Sequence, residues 1–232
     1  LADPEATRAW IRAYRARGWD AISFSANAGK GVKEAVSLVE RAARPVVERM
    51  KAKGVNKTVR AMIVGIPNVG KSTFINQVAK RKSAKAGNRP GVTRGKQWVS
   101  VDAGLELLDT PGILWPKFED ETTGIHLAFT GAVKDEIMDL ETLACHLIEL
   151  LARRYPQALA ERYKLEADPG LPGWELLELC GKKRGFRISG GEVDTERMAK
   201  VLLDEYRSGK LGNLTFETPQ DLESREAAHG RD

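Results

Sequence analysis

Gly65-Ile-Pro-Asn-Val-Gly-Lys-Ser72 constrains this chain more than any other stretch, because its spacing is G-x-x-x-x-G-K-[ST] and its flanks have the right character. Before it, Val59-Arg-Ala-Met-Ile-Val64 reads as a mostly apolar strand of the kind buried in a parallel sheet. After it, a helix is expected from about Lys71 to Lys80. Glycines at both ends let backbone N–H groups approach phosphate oxygens, and the new helix N-terminus adds positive potential. Lys71 then reaches β and γ oxygens, and the Ser72 hydroxyl can ligate Mg²⁺. The expected fold is therefore α/β, built around a strand-loop-helix unit that holds a nucleotide.

Two downstream pieces fit the same chemistry. Gln97–Val101 and Leu105–Leu108 read as paired strands, and Asp109-Thr-Pro-Gly112 ends the second. There the Asp109 carboxylate falls near the Mg²⁺ shell and the Gly112 N–H near a γ-phosphate. Between them Arg89-Pro-Gly-Val-Thr93 lies in a cation-rich loop, Lys82 to Arg94, where the Thr93 hydroxyl completes the metal shell only when a γ-phosphate is present. The three in this order describe a Mg-nucleoside triphosphate switch.

Base identity is less direct. A guanine-reading [NT]KxD should follow Asp109 to Gly112 and does not; Asn56-Lys57-Thr58-Val59 lacks the aspartate and precedes the phosphate loop. Ser25-Ala26-Asn27, however, sits in the strand-to-turn setting of a base-contacting SA[KN] element. Around it we expect a helix opening at Asp3-Pro4-Glu5 and ending at Gly18, a strand over Asp20 to Phe24, and a helix from Val32 through Ala43 interrupted at Pro45. This order reads as the end of a GTPase domain moved to the front. An ATP-specific phosphate-loop enzyme stays open, because the specificity motif is absent from the sequence.

From about Lys117 the pattern turns helical. Asp139 caps a stretch whose Leu140, Leu143, Ala144, Leu147 and Leu151 share a face, Pro156 ends it, and helices follow at Trp174 to Cys180 and Asp194 to Tyr206. Trp174 among leucines is expected in the core. His126, His146 and His229 are isolated, and the glycines of Arg187-Ile-Ser-Gly-Gly191 are expected to make a turn. We divide the chain into 1–116, a nucleotide domain, 117–217, a helical domain, and 218–232, a polar tail expected to be disordered. No apolar run approaches the ~20 residues of a membrane span. Cys145 and Cys180 support neither a disulfide framework nor a zinc site.

Charge is unevenly spread. The net charge is +5, yet Arg41 to Lys96 holds 15 Lys or Arg against one acid, Glu48, so the remainder is negative. A basic block beside an acidic body is the footprint of a polyanionic partner, nucleic acid or phosphate.

With these residues in place, the chain resembles the circularly permuted GTPases of ribosome assembly, the YlqF group. The resemblance rests on GIPNVGKSTFIN at 65–76, RPGVT at 89–93, LLDTPGILWPKFED at 107–120 and LGNLTFE at 211–217, and spans nearly all of 1–217. It implies a permuted P-loop GTPase domain followed by an all-α domain, binding to the large ribosomal subunit and its rRNA, and GTP hydrolysis coupled to subunit maturation. It also implies a cytoplasmic protein of bacteria, or a mitochondrial matrix protein in an organelle, monomeric off the ribosome and away from membranes. Carried onto this sequence, Ser25, Ala26 and Asn27 contact the base. Asn68, Val69, Gly70, Lys71, Ser72 and Thr73 hold the phosphates, with Thr93 and Gly112 from the switches. Lys71, Thr93 and Gly112 carry the catalytic roles, and Ser72, Thr93 and Asp109 the Mg²⁺. In that family the guanine motif lies shortly before the point where this sequence begins. A complete six-stranded G-domain sheet then leads us to expect ~80 to 110 further N-terminal residues.

The residue after Gly112 is Ile113, followed by Leu114, where Ras-like enzymes carry a water-orienting glutamine. Neither side chain can hydrogen-bond a nucleophile, so slow intrinsic hydrolysis, accelerated by large subunits, is expected. Asn68 resembles the asparagine that holds K⁺ beside the phosphates in potassium-activated GTPases; the competing reading is a loop residue suited to its backbone conformation. Two function classes are carried forward: a GTP-hydrolysing assembly factor, and a nucleotide-gated rRNA-binding module whose hydrolysis is incidental.

Overall fold

Strand register is what places the phosphate loop. The computed structural model of this chain describes residues 2–26, 28–82, 97–102, 104–114, 120–133 and 139–229. Among them β1 (Val59–Ile63), β2 (Gln97–Asp102) and β3 (Leu105–Asp109) form a sheet in the order β1-β3-β2. β1 and β3 run parallel with Val59 opposite Leu105 and Ile63 opposite Asp109, so both strands end at one level. β2 pairs antiparallel to β3, the pairing expected from the sequence. Alternate residues of β3, Leu105 and Leu107, turn to a small core with Phe74, Ile75 and Val78 of α3 (Lys71–Lys82) and with Val32 and Ala35 of α2 (Val32–Lys51).

β1 is not buried on both faces as expected. Its exposure alternates, and Met62 is 61% exposed. On the same open face Arg60 pairs with Glu106 at 2.8 Å and lies 5.3 Å from the centre of the Trp98 ring. Among the described residues α2 and α3 cover one face of this sheet, so alternation rather than a continuous apolar run is realised.

Two local expectations also change. α2 runs unbroken through Pro45; the fixed φ of proline is itself helical, and only one backbone hydrogen bond is forfeited. Asp20 to Phe24 is not a strand, because its backbone finds no ladder partner among the described residues. Instead Ser25 and Lys30 bridge each other, with Ser25 N donating to Lys30 O at 2.8 Å and Lys30 N to Ser25 O at 3.1 Å.

The chain groups into two compact units, Trp10–Trp115 and Leu1–Ala9 with Pro116–Asp232. The first nine residues thus leave the 1–116 grouping. The cause is visible at the start of α1 (Pro4–Ala16), where Asp3 caps Ala6 N through Oδ1 at 2.7 Å while its own N–H donates to Thr215 Oγ1 at 2.9 Å.

The helical unit contains α4 (Glu121–Phe129), α5 (Leu140–Arg154), α6 (Pro156–Tyr163), α7 (Gly173–Arg184), α8 (Thr195–Arg207) and α9 (Pro219–His229). Asp139 accepts from Glu141 N at 3.1 Å, the cap expected from the sequence, and Asp194 caps α8 in the same way by accepting from Arg197 N at 2.9 Å. Pro156 both stops α5 and starts α6. The apolar stripe of α5, Leu143, Ala144, Leu147, Ile148 and Leu151, is buried against Leu176 and Cys180 of α7 and Met198 and Leu202 of α8.

The tail expected to be disordered contains α9. Thr218 N and Oγ1 donate to Asp221 Oδ2 at 2.7 and 2.8 Å, and Asp221 N returns a bond to Thr218 Oγ1 at 3.3 Å. This reciprocal cap starts a helix that composition alone argues against. Trp174 is likewise not core. It stands 61% exposed because the buried face of α7 is set by Leu176, Leu177 and Cys180. Ile188 O accepts from Gly191 N and Gly190 and Gly191 have positive φ, the turn expected there.

Candidate nucleotide site

The phosphate loop leaves the end of β1 beside Asp109 and enters α3 at Lys71. Three of its residues have positive φ, Gly65 at 155°, Asn68 at 60° and Gly70 at 93°. Asparagine is among the few non-glycine residues that tolerate this region, so Asn68 has a conformational reason to be where it is. Lys71 Nζ arches back over the loop and donates to Gly65 O at 2.9 Å and Ile66 O at 2.7 Å. Its charge is thereby held above the loop rather than released to solvent.

Three contacts lock the Asp109 turn onto this loop. Ser72 Oγ donates to Asp109 Oδ2 at 3.1 Å, with Asp109 only 4% exposed. Thr110 Oγ1 donates to Ile63 O at 2.5 Å, pinning the residue after β3 to the end of β1. Gly112 approaches the loop so closely that a Cβ there would stand 2.6 Å from Pro67 N and Cα. Only glycine lets the two backbones meet this way.

Between these walls lies a cleft of about 440 Å³, lined by Pro67, Asn68, Gly70, Lys71, Ser72, Thr73, Thr110, Pro111 and Gly112. Its volume lies within the range of small-ligand sites. It offers backbone N–H groups and one ammonium at a helix start, the combination that binds phosphate.

The donor set also fits a hard divalent cation. Cis ligands of an octahedral Mg²⁺ at 2.0–2.1 Å lie about 2.8–3.0 Å apart. The Ser72 Oγ to Asp109 Oδ2 separation of 3.1 Å is close to that edge. Among the described residues no cluster of three His, Cys, Asp or Glu is arranged to hold a metal. A cation here would take Ser72 and Asp109 as two protein ligands and fill other positions with water, ligand oxygens or further hydroxyls.

The structure thus brings together Asn68, Gly70, Lys71, Ser72, Thr73, Asp109 and Gly112 of the residues selected from sequence. Val69 belongs to the same loop but is 56% exposed, and Ile113 is 70% exposed with its N–H donating to Gly65 O at 3.4 Å. Ser25 and Ala26 do not line the cleft. They belong to the turn after Phe24, whose ring packs 4.8 Å from that of Phe74 on α3. Asn27 and Thr93 lie outside the described residues. Pro67, Thr110 and Pro111 line the cleft as well, and their sequence signal is their place inside the two motifs.

Comparison with known proteins agrees with this geometry. Residues 60–167 match the family described as 50S ribosome-binding GTPase. The chain is 48% identical to ribosome biogenesis GTPase A of Priestia megaterium over 96% of its own length and 77% of that protein. It is 46% identical to the Bacillus cereus protein of the same name, over 96% and 75%. A crystal structure of GNP-bound YlqF from T. maritima superposes with a TM-score of 0.60 at 27% identity, covering 95% of this chain and 78% of that one. A GDP-bound structure of TM YlqF gives 0.64 at the same identity, over 95% and 80%. Similar to these proteins over nearly its whole length, this protein belongs to the ribosome biogenesis GTPase A (YlqF) family of P-loop GTPases, binds guanine nucleotide and hydrolyses GTP.

Proposed function

We propose that this GTPase serves ribosome biogenesis by binding the large ribosomal subunit through its rRNA and coupling GTP hydrolysis to maturation of that particle. The observation that carries the reading is the Ser72 to Asp109 contact at the mouth of the phosphate cleft, in a chain of this family. On GTP entry Lys71 Nζ exchanges the carbonyls of Gly65 and Ile66 for β and γ oxygens. Backbone N–H groups from Val69 to Thr73 hold the phosphates, and the Gly112 N–H meets the γ-phosphate. Ser72, Asp109 and Thr93 would hold Mg²⁺, which supplies charge neutralisation when bound. Thr93 makes the site sensitive to the γ-phosphate, and Ser25 to Asn27 contact the guanine. Asn68 is the candidate ligand for K⁺.

Ile113 has no group that orients water, so the nucleophile must be positioned from elsewhere. The large subunit is the natural source, and hydrolysis alone is slow. The 14 cations of Arg41 to Lys96 other than Lys71 support the rRNA partner, with Lys80, Arg81, Lys82 and Lys85 next to the first switch.

GTP turnover with and without purified large subunits, in K⁺ and in Na⁺, tests this reading. Stimulation by subunits, greater in K⁺, is expected. Equal turnover in all four conditions would make the protein a nucleotide-gated docking module instead. A Lys80, Arg81, Lys82 and Lys85 quadruple alanine variant should keep nucleotide affinity but bind subunits more weakly, with a log-log salt slope shallower by about 0.7 to 0.9 per lost phosphate contact.

A further inference from the structure

A second cleft, of about 650 Å³, opens in the helical unit between α5, α7 and the turn around Val193. Its floor is apolar, made by Cys145, Leu177 and Val193. Trp174 stands at its edge, 61% exposed, although Leu176 and Leu177 beside it are buried. Most of this indole lies outside the domain core, where an apolar side chain of a partner could pack on it. The wall is rigid: Gly173 sits so close to α5 that an added Cβ would meet Cys145 O at 2.5 Å.

Charge says what that partner is. Glu141, Glu149, Glu178 and Glu192 line the cleft, and among its described lining residues there is no Lys or Arg. Glu149 accepts from Gly173 N at 2.7 Å and Glu141 from Thr195 Oγ1 at 2.5 Å, so these two carboxylates are fixed in place. Glu178 meets Lys182 at 2.7 Å on the helix surface, a screened pair of little strength, and Glu192 is exposed on the turn. The field reaches the floor, where burial and then Glu149, Glu141 and Asp139 push the Cys145 thiol up. Residues 117–217 as a whole carry 14 Lys and Arg against 19 Asp and Glu. A nucleic acid would be repelled here, in contrast to the basic block of the nucleotide unit.

We propose that this cleft docks a lysine- and arginine-rich protein segment, seating one apolar side chain against Trp174 and Leu177 and its cations against Glu149, Glu178 and Glu192. The proposal stands on the helical unit alone and does not depend on the nucleotide reading.

The test uses a short fluorescein-labelled peptide of Lys and Gly with two central Leu, titrated with the full chain and followed by anisotropy. Trp174→Ala and a Glu178→Gln, Glu192→Gln double variant should each weaken binding about tenfold, or ~1.4 kcal/mol. A matched peptide with Ser for Leu should bind weakly to the unaltered chain and lose nothing further on Trp174→Ala. GTP turnover and the unfolding temperature should be unchanged in both variants, which separates lost docking from lost folding. Equal peptide affinity across the unaltered and variant chains would overturn the proposal. So would tighter, Trp174-dependent binding of a single-stranded RNA oligonucleotide.

Discussion

Both units bury acidic side chains, and they do so to different ends. In the helical unit Glu205, 5% exposed, accepts from Arg162 and from Arg184 at 2.6 Å and from Tyr163 Oη at 2.7 Å. That network closes on itself. In the nucleotide unit Asp109 is as deeply placed, but its Ser72 partner sits on the rim of a cleft. The apolar surroundings differ to match. Among the described residues Glu205 lies in a unit with 20 buried core residues, whereas the core around the sheet has eight. A carboxylate serves stability where its partners are protein on every side, and ligand binding where a partner can be shared with what enters a cleft. The comparison implies that the two units should respond separately to mutation.

The largest separation should come from Lys71→Ala. Removing the phosphate-facing ammonium is expected to lower GTP turnover by about 10²- to 10³-fold while leaving the helical unit's unfolding transition where it was. Steady-state turnover and a thermal scan on the same sample check both halves, and a shift in that transition would show that the two units do not respond separately.

Glu205→Ala should do the reverse. It leaves Arg162, Arg184 and Tyr163 without their acceptor; because both arginines are about a third exposed, the cost is nearer ~2 to 3 kcal/mol than a fully buried pair would give. Denaturant unfolding measures it, with nucleotide affinity unaltered. The same residue sets an acid limit. Burial opposes its ionisation, but Arg162, Tyr163 and Arg184 outweigh that and hold its carboxyl at about 2. A carboxylate depressed in the folded state contributes stability above its unfolded pKa of ~4.3 and loses it as pH falls toward the folded value. The helical unit should therefore weaken between about pH 4.5 and 2, with a shallower slope in Glu205→Gln.

Gly112→Ala comes next. Its Cβ would meet Pro67 backbone at 2.6 Å, so the Asp109 turn and the phosphate loop must separate, at about 1 to 3 kcal/mol of strain. Roughly tenfold lower turnover is expected, with Mg²⁺ dependence also shifted. Thr110→Val should be milder, removing the bond to Ile63 O and costing the nucleotide unit about 1 kcal/mol in chemical unfolding.

What could be read from sequence divides along the same line. The phosphate loop and the Asp109 turn were legible because each is a local motif whose register follows from the strand before it: once β1 and β3 end together, Ser72 and Asp109 must meet. The face of α5 was legible for the same reason, its apolar spacing matching the helical repeat. Asp20 to Phe24 misled because strand propensity is local while pairing is not. The tail misled because polar composition hid the cap that Thr218 and Asp221 make. The Gly112 approach to Pro67 and the outward Trp174 depend on packing between segments far apart in sequence, and no spacing rule carries that information.

We propose that Ser72 and Asp109 act together at the phosphate cleft as the cation-holding pair of this GTPase. GTP turnover titrated with Mg²⁺ tests it most directly, in the unaltered protein, Ser72→Ala and Asp109→Asn. Each variant is predicted to need about 10- to 100-fold more Mg²⁺ for half-maximal rate, as expected when a group holding a metal is lost. Half-saturating Mg²⁺ that is the same in all three proteins would contradict the account.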